Sequence, residues 1–321
     1  MPAAWLIHNP AAGRFPAEGI VARAAEVMRG YGWTIRLETA RQRHDLRALV
    51  RSAVEADTDA VIVAGGDGTV GLAASELRDT RVALGVFPTG TSNVWAKDLC
   101  VPQVGWMRMQ SAERIAASLA QADILPADIG EANGRPFLLW AGTGLDARVV
   151  NLIEPRRRLD KVLPTTLYAI HTLRSARRWR GVELDVRWPA GRVVGRFIVG
   201  VASNICSYGG GLLRLSPEAR INDGLLDFWL LEGQTLRETV VRVLDVLFQR
   251  HLSRPGFIHF QTDSAEFHSD GALPMHFDGE PGRLETPVRF RARPNALHVL
   301  VPRGPRTQLF VPETTGSEVS R

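Results

Sequence analysis

Asp59-Ala-Val-Ile-Val-Ala-Gly-Gly-Asp-Gly-Thr69 is the stretch whose reading decides the fold class. Ala60 to Ala64 is a short, uninterrupted apolar run rich in β-branched residues, the pattern of a strand buried on both faces in a parallel sheet. Gly65, Gly66 and Gly68 then strip the side chains from three of four positions, so the backbone can turn sharply and present N–H groups to an anion. From Thr69 onward Val70, Ala73, Ala74 and Leu77 recur at helical spacing, and Thr69 is expected to cap that helix. A strand, a glycine turn and a helix N-terminus in that order read as a phosphate-binding element, the plain alternative being a tight βα turn with no ligand. The turn has neither G-x-G-x-x-G spacing nor the Lys of G-x-x-x-x-G-K-[ST]. Asp67, a carboxylate at an anion site, reads either as a holder of Mg²⁺ against phosphates or as a turn-forming residue.

Working outward, the first third alternates strand and helix. Ala4 to His8 is a strand followed by the polar loop Asn9-Pro-Ala-Ala-Gly-Arg14, and a helical stripe through Ile20, Ala24, Val27 and Met28 ends at Gly30 and Gly32. Trp33 to Leu37 gives a second strand, and Leu46, Leu49, Val50, Ala53 and Val54 a second helix. Arg81 to Phe87 is a fourth strand running into Pro88-Thr-Gly-Thr-Ser-Asn93. This order predicts a three-layer α/β domain over residues 1–124, with Asn9, Thr39, Gly65–Thr69 and Thr89–Asn93 at the strand ends.

Beyond a helix at Ser111–Gln121 the composition changes to strand-like runs, including Phe137–Ala141, Val182–Trp188, Val193–Ser203, Leu225–Leu231, Phe257–Phe260, Val288–Arg293 and Leu297–Val301. Alternation such as Val288-Arg-Phe-Arg-Ala-Arg293 is the half-buried antiparallel signature, so residues 125–302 read as a β-rich second domain. One helix interrupts it near Thr235–Gln249, with Leu236, Val240, Val243, Leu244 and Leu247 expected on its buried face. Residues 303–321 form a C-terminal segment with a polar end.

The 321 residues carry a net charge of +5 that suits an anionic partner. Arg156–Arg158 precede a helical stretch, Asp160–Arg178, that ends in Arg174, Arg177, Arg178 and Arg180. This is either a solvated basic face or a docking patch for anionic lipid; no nucleic-acid motif accompanies it. Two cysteines exclude a disulfide framework or a thiolate metal site, and the histidines show no ligand spacing. With no leader pattern and no apolar run near about 18 residues, the chain is expected to be cytoplasmic, with peripheral attachment at the inner membrane face open. Whether it is a monomer or a homodimer is open at this level.

Two further carboxylate groups stand out. Asp223 precedes a glycine in Asn222-Asp-Gly224, and Asp278 and Glu280 flank Gly279 in Met275-His-Phe-Asp-Gly-Glu280. Each reads as a turn, or as a hard-cation ligand in the first case and a base for a hydroxyl in the second.

Taken together, Asn9-Pro10 with Gly13, Gly65-Gly-Asp-Gly-Thr69, Pro88-Thr-Gly-Thr-Ser-Asn93, Gly142-Thr-Gly-Leu-Asp146, Gly209-Gly-Gly211, Asn222-Asp-Gly224 and Asp278-Gly-Glu280 give a chain that resembles the diacylglycerol kinase catalytic family, soluble bacterial lipid kinases related to sphingosine kinases. The resemblance covers nearly the whole length. It implies an NAD kinase-like nucleotide domain, a C-terminal β-sandwich, an ATP site in the cleft between them and transfer of the γ-phosphate to a lipid hydroxyl, diacylglycerol-like by preference. It further implies that Gly65, Gly66, Asp67, Gly68, Thr69, Val70, Gly71 and Thr91 contact ATP with Asn9, Thr39 and Asn93 nearby. Mg²⁺ would be held by Asp223 and the carbonyls of Arg220 and Leu225, and Glu280 or Asp278 would take the hydroxyl proton, Glu280 by preference. Members of the family usually read Gly-Thr-x-Asn-Asp-Phe-Ala where this chain has Gly90-Thr-Ser-Asn-Val-Trp-Ala96, so Val94 replaces a carboxylate. The rival readings are an NAD kinase-type phosphotransferase, which shares the glycine turn, and a catalytically silent nucleotide or lipid sensor.

Overall fold

The structure, a computed structural model, describes residues 1–13, 16–105, 107–153, 180–304 and 307–311. The basic stretches at Arg156–Arg158 and Arg174–Arg178, with the helix expected between them, lie outside the described residues; Arg180 lies within them and is exposed.

The first part runs β1 (Ala3–His8), α1 (Glu18–Gly30), β2 (Thr34–Thr39), α2 (Arg43–Glu55), β3 (Ala60–Gly65), α3 (Asp67–Leu77), β4 (Ala83–Pro88), α4 (Val94–Asp98) and α5 (Arg108–Ala120). Every residue of β3 and β4 is buried, as unbroken apolar runs require, and the strands pair in parallel in the order β2-β1-β3-β4. Helices α1 and α5 pack together, as do α2 and α3, and these two pairs sandwich the sheet. Parallel strands place all their C-terminal ends, and the loops that follow them, along one rim.

The second part comprises β5 (Asp123–Ala132), β6 (Arg135–Phe137), β7 (Trp140–Gly144), α6 (Leu145–Ile153), β8 (Val182–Trp188), β9 (Gly191–Ser203), β10 (Ser207–Tyr208), β11 (Leu213–Arg214), β12 (Leu226–Glu232), α7 (Leu236–Leu247), β13 (Phe257–Thr262), β14 (Ser264–His268), β15 (Leu273–Phe277), β16 (Glu280–Leu284) and β17 (Val288–Val301). Its strands are antiparallel and form a β-sandwich-like body whose interior holds Phe137, Phe197, Phe228, Phe267 and Phe290. Phe290 meets Phe228 edge-on at 5.6 Å and tilts against Phe267 at 4.7 Å, contacts that add directionality to apolar burial.

Strand β17 joins the two bodies. Its first residues pair with β14, and His298 and Val299 near its end pair in parallel with Ala83 and Leu84 of β4. A register shift between Arg293 and Leu297, with Asn295 at φ 54°, turns the strand from one sheet into the other. Strand β5 follows β17 through this bend, and no strand was anticipated at β5 from the sequence. Residues 307–311 bridge the two parts: Thr307 Oγ1 donates to the Asp98 carbonyl of the first, and the Ile221 N–H of the second donates to the Leu309 carbonyl.

Two local expectations need correction. Helix α3 begins at Asp67 with Gly66 as its extended N-cap, so Thr69 is inside the first turn rather than capping it. The extended φ and ψ of Gly66 place the helix start directly after β3. In α7 the periodic apolar residues do not face the core. Thr239, Asp245 and Val246 are buried, Leu236 is half-buried, and Val240, Val243, Leu244 and Leu247 are exposed. Periodicity identifies a stripe; which side meets the body is fixed by partners, here the buried Asp245 paired with Arg250 at 3.1 Å and Val246 in the core.

Candidate active site

The rim of the parallel sheet brings three loops into backbone contact. A Cβ on Gly90 would overlap the Cα of Gly66, and one on Gly13, at φ 81°, would overlap the Thr89 carbonyl. Glycine is therefore required for the loops after β1, β3 and β4 to close on one another. Asn9 Nδ2 donates to Thr69 Oγ1 (3.0 Å) while its Oδ1 accepts the Ala11 N–H, and the Thr89 and Gly90 N–H groups donate to the Gly65 carbonyl. Thr39 lies exposed at the end of β2, level with His8, and Thr91 is exposed on the fourth loop. Val70 is buried, and its N–H donates to the Gly66 carbonyl (3.0 Å). The buried Thr89 Oγ1 and Asn93 Oδ1 have no hydrogen-bond partner. Unsatisfied polar atoms of this kind gather where a polar ligand or water completes the site.

Asp67 is turned toward α4. Its Oδ1 accepts the Trp95 N–H (3.2 Å), and burial pushes its carboxyl pKa up against the opposing pull of the Trp95 and Val94 N–H groups and the Lys97 charge. Asp67 thus ties the glycine turn to the fourth loop.

Across the cleft stands the β15–β16 hairpin. Phe277 pairs with Glu280, and Asp278 and Gly279 form its two-residue turn with φ of 52° and 82°, the positive-φ pair such a turn demands. The two acids have different surroundings. Asp278 is half-buried and accepts three main-chain N–H groups, from Leu138 (2.9 Å), Leu139 (2.8 Å) and Trp140 (3.1 Å). Burial raises its pKa to about 6, the three N–H groups opposing that rise. A Cβ on Gly71 would lie 3.0 Å from Asp278 Oδ2, so this carboxylate also abuts the first turns of α3. Glu280 faces the cleft, with Oε1 3.6 Å from a Cβ built on Gly68, and is gripped at both oxygens by Arg43 of α2, one contact at 2.9 Å. The hairpin of the second body is therefore seated on the glycine turn of the first.

Sequence reasoning missed Arg43 and Arg135. Arg135 lies 3.9 Å over the Phe277 ring; burial lowers its pKa while the charges of Glu280 and Asp278 raise it. No motif marks either arginine, because each enters the site through tertiary packing. Lys97 was missed as well. The Gly209–Gly211 loop, all three residues at positive φ, approaches from the second body, a Cβ on Gly211 falling 3.6 Å from Val94 and 3.8 Å from Lys97 Nζ.

The Asp223 turn forms a separate group. Asp223 Oδ1 accepts the Leu225 N–H (3.0 Å), and burial raises its pKa, with the charges of Asp128 and Asp227 adding to the rise. Asp128, also missed, accepts the Gly224 N–H (2.6 Å) and the Asn295 N–H (2.8 Å) and so fastens this turn to the bend of β17. Among the described residues no cluster of three or more His, Cys, Asp and Glu is arranged for a metal. The Asp223 carboxylate, beside the charges of Asp128 and Asp227, is an oxygen donor of the chemistry a hard cation takes.

The sequence matches two family models. Residues 3–132 match the diacylglycerol kinase catalytic domain, and residues 140–301 match the YegS C-terminal NAD kinase beta sandwich-like domain. The chain belongs to the diacylglycerol kinase catalytic-domain family, with its second half in the associated sandwich family. Family relatives include a protein named diacylglycerol kinase from Bacillus subtilis, 25% identical over 96% of this chain and 99% of that one. Another, from Chromohalobacter salexigens, is named "Probable lipid kinase YegS-like" and is 30% identical over 94% of this chain and 93% of its own. The fold superposes on a crystal structure described as a diacylglycerol kinase from Bacillus anthracis, with a TM-score of 0.71 at 18% identity, covering 94% of this chain and 97% of that one. Among the described residues no helix is long and apolar enough to cross a membrane.

Proposed function

We propose that this member of the family is an ATP- and Mg²⁺-dependent kinase that transfers the γ-phosphate to the hydroxyl of a lipid, diacylglycerol-like in kind. The observation that carries this reading is the meeting of Glu280 with the Gly65–Thr69 turn at Gly68. A phosphate cradle and a carboxylate on opposite sides of one cleft are the two parts a phosphoryl transfer to an alcohol needs.

In this reading the N–H groups at the start of α3 face the phosphates, where the helix N-terminus favours negative charge. Thr69, Thr91 and Asn9 supply polar contacts and Thr39 borders the nucleotide. Asn93, with its unpartnered Oδ1, completes the fourth loop's share. The acceptor oxygen bonds to the γ-phosphorus as the bond from that phosphorus to the bridging oxygen breaks; the electron pair leaves with ADP and the hydroxyl proton passes to Glu280. Arg43 holds the Glu280 carboxylate over Gly68 before the acceptor arrives, and Asp278 positions the hairpin through its three N–H partners. On the second body the Asp223 carboxylate and the Arg220 and Leu225 carbonyls would hold a Mg²⁺, and at the turn Asp67, directly or through water, would hold one that neutralises phosphate charge. The positioning of groups and charge stabilisation supply the rate, as in other phosphoryl transfers.

The test is ATP consumption with Mg²⁺ against diacylglycerol, monoacylglycerol, sphingosine, phosphatidylglycerol and NAD. Phosphorylation of a lipid that is lost in Glu280→Gln with ATP binding retained supports the reading. Turnover of NAD alone overturns it in favour of the NAD kinase-type alternative.

A further inference from the structure

Helix α7 is built the wrong way round for a helix that covers a core. Its side toward the body carries Thr239, Asp245 and Val246, whereas Val240, Val243, Leu244 and Leu247 are 40–50% exposed and Phe248 and Leu252, just beyond its end, are 62% and 56% exposed. Isolated exposed apolar side chains are ordinary, but six on one face and its continuation form a patch of the kind that marks an interaction surface. The helix does not depend on covering that face to exist. Thr235 and Glu238 close a capping box at its start, and Gln249 Nε2 and His251 Nε2 meet the carbonyls of Arg214 and Leu215 beyond its end.

The charges around the patch are one-sided. Between Leu236 and Arg254 there are four arginines and two acids. Both acids are engaged locally, Glu238 in the capping box and Asp245 with Arg250. Arg237, Arg250 and Arg254 are exposed, while Arg242 is drawn back over the Phe257 ring and donates to the Glu232 and Pro255 carbonyls. An apolar face bordered by arginines is the composition of a helix that lies in a membrane interface.

The position relative to the cleft completes the case. The end of α7 is fastened to Arg214 and Leu215, and the same segment begins at Leu212, 62% exposed, straight after Gly209–Gly211. That glycine loop reaches Ser92, Val94 and Lys97 on the fourth loop of the site. A surface resting on α7 is thus connected through one short segment to the cleft where an acceptor hydroxyl is needed.

We propose that the exposed apolar face of α7, with its bordering arginines, docks the protein on an anionic lipid bilayer and presents the Gly209–Gly211 loop to it. The inference deepens the lipid kinase reading and rests on it for the purpose of docking, not for the docking itself. Charge selects the bilayer over a second copy of the chain. A two-fold contact through this face would bring two copies of Arg237 and Arg254 into one interface with both nearby acids, Glu238 and Asp245, already engaged, whereas anionic headgroups meet the arginines favourably.

The experiment is co-sedimentation of the full chain, without ATP, with phosphatidylcholine vesicles that contain or lack phosphatidylglycerol. It compares the unaltered protein with Leu247→Glu/Phe248→Glu and with Arg237→Glu/Arg254→Glu. The expected result is binding only to the phosphatidylglycerol vesicles, weakened about tenfold or more in each double variant. Melting temperature and turnover of a short-chain acceptor dispersed in water stay unchanged. Equal binding by the unaltered protein and the Leu247→Glu/Phe248→Glu variant overturns the proposal, as does no binding at all. Conversion of a dimer to a monomer by that variant, with vesicle binding intact, overturns it in favour of a contact between copies. Vesicle binding without phosphorylation of any acceptor would leave the docking standing and refute the kinase reading.

Discussion

The glycine turn after β3 and the hairpin at Asp278–Glu280 face each other across one cleft, yet they are made of different materials. The turn is backbone: its glycines bring three loops within contact, and Gly66 and Gly90 touch where any side chain would overlap. The hairpin is side chain: two acids two residues apart point to opposite duties. Asp278 looks inward to three N–H groups, and Glu280 looks outward to Arg43 and Gly68. A backbone device is written in residue type, because little but glycine allows it. A carboxylate's duty is written in its partners, and those come from residues 138–140 and 43, far away in the chain.

The largest effect that would test this contrast is expected at Glu280. Glu280→Gln keeps the shape and removes the proton acceptor, so kcat should fall by about 10²–10⁴-fold while ATP affinity and melting temperature hold. A drop in ATP affinity of the same size would place Glu280 among the binding groups and erase the division between turn and hairpin. Next comes Gly90→Ala, whose methyl must displace Gly66; spreading the loops should raise KM for ATP by about tenfold or more, a loss measured in steady-state kinetics.

Asp278→Asn should act chiefly on the fold. Its amide cannot accept all three N–H groups, at a cost of about 1–3 kcal/mol in denaturant melts near neutral pH. The pH dependence carries a defined sign. The unfolded carboxyl releases its proton near 3.8 and the folded one near 6, so the folded state holds the extra proton in between and stability falls as pH rises across that window. In Asp278→Asn that part of the slope should vanish; an unchanged slope would assign it elsewhere. The smallest effect is expected for Arg43→Ala. The pair is partly exposed, so stability should change by less than about 1 kcal/mol. Turnover should fall severalfold as Glu280 loses its support, and an unchanged kcat would show that the turn and hairpin do not need the arginine.

Much of the first body was legible because its signals are local. Unbroken apolar runs gave β3 and β4, and helical stripes gave α1 and α2, within about three residues at each end. The Asp-Gly turns at 223–224 and 278–279 could be read from residue type. What sequence could not give was direction. The stripe of α7 was visible, but the side that meets the body depends on Asp245, Val246 and their neighbours in space. Strand β5 was missed because Asp123-Ile-Leu-Pro-Ala-Asp128 has a proline and two acids in its first six residues, and it is held by the long partner β17. Arg43, Arg135, Lys97 and Asp128 carry no motif; they become part of the site through packing alone.

The path of β17 has a consequence for how the chain is made. A ribosome delivers residues 288–301 long after the other strands of the first sheet, yet their end supplies the neighbour of β4 there. Until then the nascent nucleotide body has Ala83–Pro88 as an open edge, with unpaired N–H and C=O groups that can recruit another chain. Maturation of the first body therefore waits on β17, because only its arrival gives Ala83 and Leu84 a partner on that side.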